Sequence, residues 1–231
     1  MLSTLKKLIS GGTTLDTPIS EARFVVVDTE LTGLDSAKDS IVSIGAVRLT
    51  GGRIPLGDTF HALVRPRSAL TRESVVIHGI TPSDVEHMPD AKGALEEFIR
   101  YMGDDVMVGH CVSIDSEFIN REMGHAPGRA IGGGLIDTWA LHEWLRRSKR
   151  YRGAWLSEEA RNLYGLAKAL GVAVNGAHDA LMDAFITAQV FQRLIPVLMV
   201  EGITTLNGLF KVGDPRKGGV EFRSSGEFSN F

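Results

Sequence analysis

The chain has 231 residues, 43% hydrophobic and 23% charged, enough apolar material for a core and an ordinary charge load for one large globular domain, or one domain with appendages. A formal net charge of −3 argues against a general nucleic-acid coat protein, but not against an enzyme that grips one chain end through metal ions. The single Cys111 excludes an internal disulfide and a multi-cysteine zinc site and suits a reducing cytoplasm, and with no apolar run approaching the ~20 residues of a membrane span, no membrane partner is expected.

The N-terminus, MLSTLKKLIS, has Lys6 and Lys7 inside its apolar pattern and no signal-peptide core. Leu2, Leu5 and Ile9 predict one face of a short helix. Gly11 to Ser20 reads as a linker by composition. A strand follows at about 23–29, where Phe24 to Val27 form the continuous β-favouring run of a strand covered on both faces. SIVSIGAVRLTGGRIPLGDTFHALVRP predicts two more strands around a Gly51-Gly52 turn, completing an antiparallel meander. HGITPSDV is a loop leading into a helix start, with Pro82 in its first turn. Asp90 to Met102 is helical, with Ala94, Leu95, Phe98 and Ile99 on one side.

Asp104 to Val112 is another buried-type strand, followed by a helix from Ser113 to Met123. GGLIDT is a short strand, with a helix from Trp139 to about Arg147 after it. The next helix starts at Ser157 and ends at the C-cap glycine Gly171. The last long helix runs from Asp179 to about Val200 and is interrupted or ended near Pro196. ITTLNGLF is a short amphipathic piece, and the glycine- and serine-rich segment from Gly213 predicts a mobile tail. Three strands, then strands alternating with helices, give an α/β protein with a mixed sheet. The expected organisation is an arm and linker at 1–22, a main domain at 23–200, and a short helix and tail at 201–231.

Asp28 and Glu30 raise a question. Residues i and i+2 share one face of a strand, so two carboxylates sit side by side. Like charges in contact raise a pKa or need a cation between them. Gly33 breaks the run, which puts the pair at a strand end, where α/β sheets tend to place ligands. On these residues alone a solvated strand end with a turn aspartate competes with a metal site. Asp115 starts a helix, off the apolar face of Ile114, Phe118 and Ile119, where, taken alone, complementing the helix dipole is the better explanation. In NGAHDALMDAF, Asp179 is a good N-cap. Asp183 follows one turn later, off the Leu181–Phe185–Ala188 stripe, and His178 precedes the helix in a loop with Asn175 and Gly176. Taken together, four carboxylates and a histidine ask for a two-metal hydrolase. Carboxylate oxygens suit Mg²⁺ or Mn²⁺, two such ions sit about 3.5–4 Å apart, and a histidine accepts a proton near neutral pH. That chemistry fits phosphodiester cleavage.

In this order the segments resemble the DnaQ-like, or DEDDh, 3′–5′ exonuclease family, which includes the proofreading epsilon subunit of bacterial replicative DNA polymerase and oligoribonuclease. VVVDTELTGLD looks like its first motif, GHCVSIDSEFI its second and HDALMD its third, H-x-A-x-x-D. HGIT and IDTWAL also look like family segments, so the resemblance covers roughly Phe24 to Leu198. It implies a ribonuclease H-like fold with a five-stranded mixed sheet. It implies that Asp28 bridges two divalent cations, that Glu30 and Asp183 complete the nucleophile-side site, and that Asp115 holds the second ion largely through water. His178 would be the general base. Thr29 and Leu31 would lie near the sugar of the 3′ nucleotide, Leu34 would wedge against its base, and His78 would join the substrate site. Where the second motif usually reads H-N-x-x-F-D, this chain has Cys111 for the asparagine and Ile114 for the aromatic, and Leu31 stands where threonine is common. None of these removes a metal ligand.

The implied partner is the 3′ end of single-stranded DNA or RNA, with a DNA polymerase or clamp as a possible protein partner. A non-catalytic module binding a polymerase or clamp, an exoribonuclease, and a hydrolase of mononucleotides are the competing readings. RRSKRYR, Arg146 to Arg152, is read as a phosphate-contacting flap, against the alternative of a solvated helix end.

Overall fold

The computed structural model describes residues 14–125, 131, 133–148, 155 and 157–217. The expected N-terminal helix at Leu2 to Ile9 and the tail beyond Lys217 lie outside the described residues. Strand β1 (Arg23–Leu31) is central. It pairs antiparallel with β2 (Ile41–Thr50), which pairs antiparallel with β3 (Thr59–Leu63). On its other side β1 pairs parallel with β4 (Val106–Gly109), and β4 pairs parallel with β5 (Leu135–Asp137). The order β3-β2-β1-β4-β5 is the meander plus parallel strands that the sequence predicts.

The continuous apolar run of β1 exists because both of its faces are covered. Phe24 and Val26 join one core cluster, Val25 and Val27 the other. The first cluster is completed by α5 (Thr138–Arg147), α6 (Leu163–Ala169), α7 (Ala180–Val200) and α8 (Leu206–Val212). The second is completed by α3 (Ala91–Met102) and α4 (Ser113–Glu122). Phe24 and Phe191 meet edge to face at 5.1 Å, a geometry worth ~0.5–1.5 kcal/mol beyond area burial.

Four local expectations change. A helix, α1 (Arg72–His78), precedes the HGIT segment. Thr71 caps it by accepting from the Ser74 N–H at 3.0 Å, and Gly79 ends it at φ 73°. Its Val75-Val76-Ile77 core favours strand, which hides the helix, although both caps are legible. Pro82 does open a helix, α2 (Pro82–Val85), of four residues.

The single helix expected from Ser157 to Gly171 is broken in two. A 3₁₀ turn, Glu158–Arg161, stops at Asn162, which is extended (φ −111°, ψ 168°) and caps α6 through the Gly165 N–H at 2.7 Å. Asparagine prefers capping to helix interiors.

Pro196 does not interrupt α7, which runs 21 residues. Pro196 is exposed, so its ring and missing N–H fall toward solvent, and Leu198, fully buried beyond it, holds the last turn on the core. By length and composition α7 could also cross a membrane, but 56% of its most apolar window is buried in the protein and it carries Asp183, Gln189, Gln192 and Arg193.

The described part of the expected linker is tied down. Ile19 N–H donates to Thr204 O at 2.9 Å, Leu206 N–H to Thr17 O at 3.0 Å and Asn207 N–H to Leu15 O at 2.8 Å. Ile19 and Leu206 belong to the same core cluster.

One close approach sets α7 against the sheet. Gly45 on β2 is the register partner of Asp28, and a Cβ at Gly45 would lie 2.2 Å from the backbone of Ala180 and Leu181. Only glycine lets the first turn of α7 rest on the sheet there. Gly45→Ala is expected to lose ~1–3 kcal/mol of stability through overpacking, read from the urea midpoint, with amide shifts at Ala180 and Leu181. An unchanged midpoint would mean that α7 does not press on β2.

Candidate functional site

The alternation of β1 decides which helix each residue at its end meets. Asp28 and Glu30 continue the Phe24/Val26 face and meet α7. Carboxylate oxygens of Asp28, Glu30 and Asp183 lie within 4.8 Å of one another. Thr29 continues the opposite face and meets α4, where its hydroxyl donates to Asp115 Oδ1 at 2.7 Å. Regular pairing with β2 continues through Asp28 and Glu30, and the register shifts only after them, between Glu30 and Leu31. Asp28 and Glu30 thus share a face as expected.

Asp115 and Asp183 do not lie off the buried faces of their helices. They are on them, 6% and 4% exposed. On α4 the buried set includes Ser116 and Asn120, and on α7 it includes Ala180, Ala184 and Thr187. The buried set of α4 also holds Phe118 and Ile119, three and four residues after Asp115, so this carboxylate shares a face with part of the expected apolar set. Of the expected stripe, Ala188 is fully buried, while Leu181 and Phe185 are only half-buried.

The approach to α7 holds the histidine. Asp179 caps the helix, accepting from the Met182 N–H at 3.0 Å. His178 just before it has φ 63°, a left-handed conformation that histidine adopts more readily than most residues. Its backbone N–H points to both Asp183 Oδ2 and the Tyr164 hydroxyl, each at 2.9 Å. Tyr164 donates to Asp183 Oδ2 at 2.6 Å. Asp183 Oδ1 is buried without a partner among the described residues. Tyr164 was not legible as a site residue, because NLYGLAKAL reads as an ordinary amphipathic helix. The one usable signal was Asn162 as a cap, which resets the helix so that Leu163 enters the core and Tyr164 lines the cleft.

Electrostatics set the state of the cluster. Burial, then the neighbouring Asp115, Glu30 and Asp183, holds the Asp28 carboxyl well above the usual range. Burial, then Asp183, pushes Glu30 up to about 8. Burial pushes Asp115 up to about 7, opposed by the Thr29 hydroxyl. Burial also raises Asp183, opposed by Tyr164 and the His178 N–H. Burial and the Asp183 carboxylate push the Tyr164 phenol upward, so it stays protonated. The donor set is all oxygen, it carries excess negative charge, and Asp183 Oδ1 lacks a partner. These features fit hard divalent cations.

Leu31, Leu34 and His78 line the same cleft with Ile77, His110 and Ile114. His78 Nδ1 accepts the Ile80 N–H at 3.0 Å, and its Nε2 is buried without a partner among the described residues. Its pKa is lowered by burial and then by His178. Cys111 has φ 58°, and its N–H donates at 2.9 Å to Asp137, which also caps α5 through Trp139. Burial raises the Cys111 thiol well above its usual value, so it is a poor nucleophile. Of the basic segment, Arg146 makes a two-pronged pair with Glu143 at 2.8 and 2.9 Å, and Arg147 lies 4.0 Å from the same carboxylate. Residues 149–152 lie outside the described residues.

Residues 25–191 match the family model described as "Exonuclease". The chain is similar to a PolC-type DNA polymerase III of Thermotoga maritima, 34% identical over 199 residues, which are 86% of this chain and 14% of the relative. It is similar to the DNA polymerase III subunit epsilon of Aquifex aeolicus, 31% identical over 77% of this chain and 83% of the relative. The chain therefore spans about a seventh of the long PolC-type relative and most of the epsilon relative. Among solved structures, E. coli exonuclease I with a bound oligonucleotide matches with TM-score 0.65 at 17% identity, over 79% of this chain and 44% of that one. Exonuclease X with duplex DNA matches with TM-score 0.56 at 24% identity, over 83% and 98%. These neighbours share the fold, which is ribonuclease H-like.

The raised acids give a pH prediction with a definite sign. A carboxyl whose pKa is raised on folding makes the native state bind more protons than the unfolded chain, so its contribution to stability falls as pH rises. For Glu30 and Asp115 the window runs from their ordinary values of 4.5 and 3.8 to about 8 and about 7. In chelator, the melting temperature should fall from pH 5 to pH 8 more steeply than in Glu30→Gln. Added Mg²⁺ or Mn²⁺ should raise it more at pH 8 than at pH 5. Equal slopes for the two proteins would contradict the acid cluster.

Proposed function

The chain belongs to the exonuclease family, and on that premise we propose that it is a metal-dependent 3′–5′ exonuclease acting on single-stranded nucleic acid. The observation that carries this reading is the meeting of Asp28, Glu30 and Asp183 within 4.8 Å, beside His178 and Asp115. Asp28, Glu30 and Asp183 would hold one divalent cation, Mg²⁺ or Mn²⁺, and Asp28 with Asp115 the other. Bound there, the two cations supply positive charge to the scissile phosphate and acidity to the attacking water. Thr29 donates to Asp115 Oδ1 at 2.7 Å and restrains that carboxyl. His178 accepts the proton of the attacking water, a contribution of about 10²–10⁴-fold for general base catalysis. Leu31 and Leu34 give the terminal sugar and base an apolar seat. His78 lines the cleft on the path of the incoming strand.

DNA is the favoured substrate, because the relatives are named as DNA polymerase III proteins. RNA trimming is the alternative within the same site. A replicative polymerase is the proposed protein partner on the same ground, tested by co-purification.

The decisive assay digests 3′-labelled and 5′-labelled single-stranded DNA and RNA side by side with Mg²⁺, using mononucleotides as a control. The 3′ label should be released first as a mononucleotide. Asp183→Asn should lower activity by orders of magnitude with folding kept, and a fully active variant would move the assignment to Asp179. His178→Ala should lower turnover by about 10²–10⁴-fold with metal affinity retained and with partial rescue by added imidazole. Normal turnover in that variant would remove the base role.

A further inference from the structure

We propose that Tyr164 is a positioning residue that ties Asp183 to His178 and fixes the histidine tautomer, leaving Nε2 as the proton acceptor. The proposal deepens the exonuclease reading and rests on it. A phenol has one proton and can accept at its oxygen. Three groups converge on that oxygen: Asp183 Oδ2 at 2.6 Å, the His178 backbone N–H at 2.9 Å and His178 Nδ1 at 3.3 Å. The shortest contact is to a carboxylate, where a hydrogen bond is strongest, so the phenolic proton goes to Asp183. The backbone N–H must donate. Nδ1 then has no proton to accept and must itself carry one. A neutral ring with its proton on Nδ1 has its lone pair on Nε2.

The same hydroxyl sets the carboxylate. Asp183 Oδ2 is engaged twice, by Tyr164 and by the His178 N–H, so rotation of the carboxyl would break two bonds. Oδ1 is left buried and unpartnered among the described residues, on a carboxyl that clusters with those of Asp28 and Glu30. The rings of Tyr164 and His178 also pack edge to face, with centroids 5.2 Å apart at 89°. That contact resists rotation of the imidazole. The left-handed backbone of His178 (φ 63°) is held by the shared N–H. One hydroxyl therefore orients a candidate cation ligand and the base together. The break at Asn162 has a role here, because it is what turns Tyr164 toward the cleft.

Tyr164→Phe removes only the hydroxyl, and three readouts test its role, two of them free of activity. In ¹⁵N NMR of the metal-free wild-type protein, neutral His178 should carry its proton on Nδ1, and Tyr164→Phe should shift it toward a mixture of tautomers. Mn²⁺ affinity without substrate should weaken by about 10–100-fold, as for other groups that orient a ligand. The turnover number should fall with the Michaelis constant nearly unchanged. An Nε2-protonated His178 in the wild-type protein would overturn the proposal even if the variant fails to fold. So would a variant with the wild-type tautomer and wild-type Mn²⁺ affinity. Failure of the exonuclease reading itself would appear separately, as an inactive wild-type protein or a fully active His178→Ala.

Discussion

Bringing Asp28, Glu30 and Asp183 within 4.8 Å of one another, with Asp115 close behind, costs electrostatic free energy that only protons or cations can offset. The cost is high because the acids sit at the covered end of a central strand, where burial is the first cause of every raised carboxyl. Water would dissipate such repulsion at a solvated strand end. Here the protein confines it. The metal-free fold is accordingly a strained electrostatic arrangement, stable by virtue of its apolar core rather than of its site.

That core supplies the needed rigidity. β1 is sandwiched between two apolar clusters, paired with β2 along its length and with β4 from Phe24 to Val26, which restrains its end against the helices. Gly45 admits α7 to backbone contact with the sheet, and small residues on that helix keep it close. α4 brings Asp115 in from the opposite layer, and Thr29 fastens it. The three contributing elements are thus fixed by core packing and by contacts next to the acids themselves, and the acids have no easy way to separate.

The sheet and its acids were legible because their signals are local and strong. Phe24 to Val27 announces a doubly covered strand, and the period of two then puts Asp28 and Glu30 together without reference to anything else. The His178–Asp183 spacing and the order of the segments supplied the rest through family resemblance. What was not legible depends on tertiary context. Val75 to Ile77 disguises α1, since caps outvote β propensity there. The burial of Asp183 could not be read from Leu181 and Phe185, because the turns of α7 around it bury Ala180, Ala184 and Thr187 instead, whereas Asp115 does share the buried face of Phe118 and Ile119. Tyr164 was invisible for a related reason: its partner lies 19 residues on, and only the break at Asn162 turns it inward. The segment from Thr14 to Ser20 has the composition of a linker, yet its backbone is captured by residues near Thr205.

Calorimetric titration of Mn²⁺ at pH 7, repeated in buffers of different ionisation enthalpy, tests the central claim most directly. If cations replace the protons that burial and mutual repulsion hold on Glu30 and Asp115, raised to about 8 and about 7, binding must release protons. The account predicts measurable proton release in the wild-type protein and a smaller release in Glu30→Gln. Tight Mn²⁺ binding with no proton release, or with the same release in that variant, would contradict it.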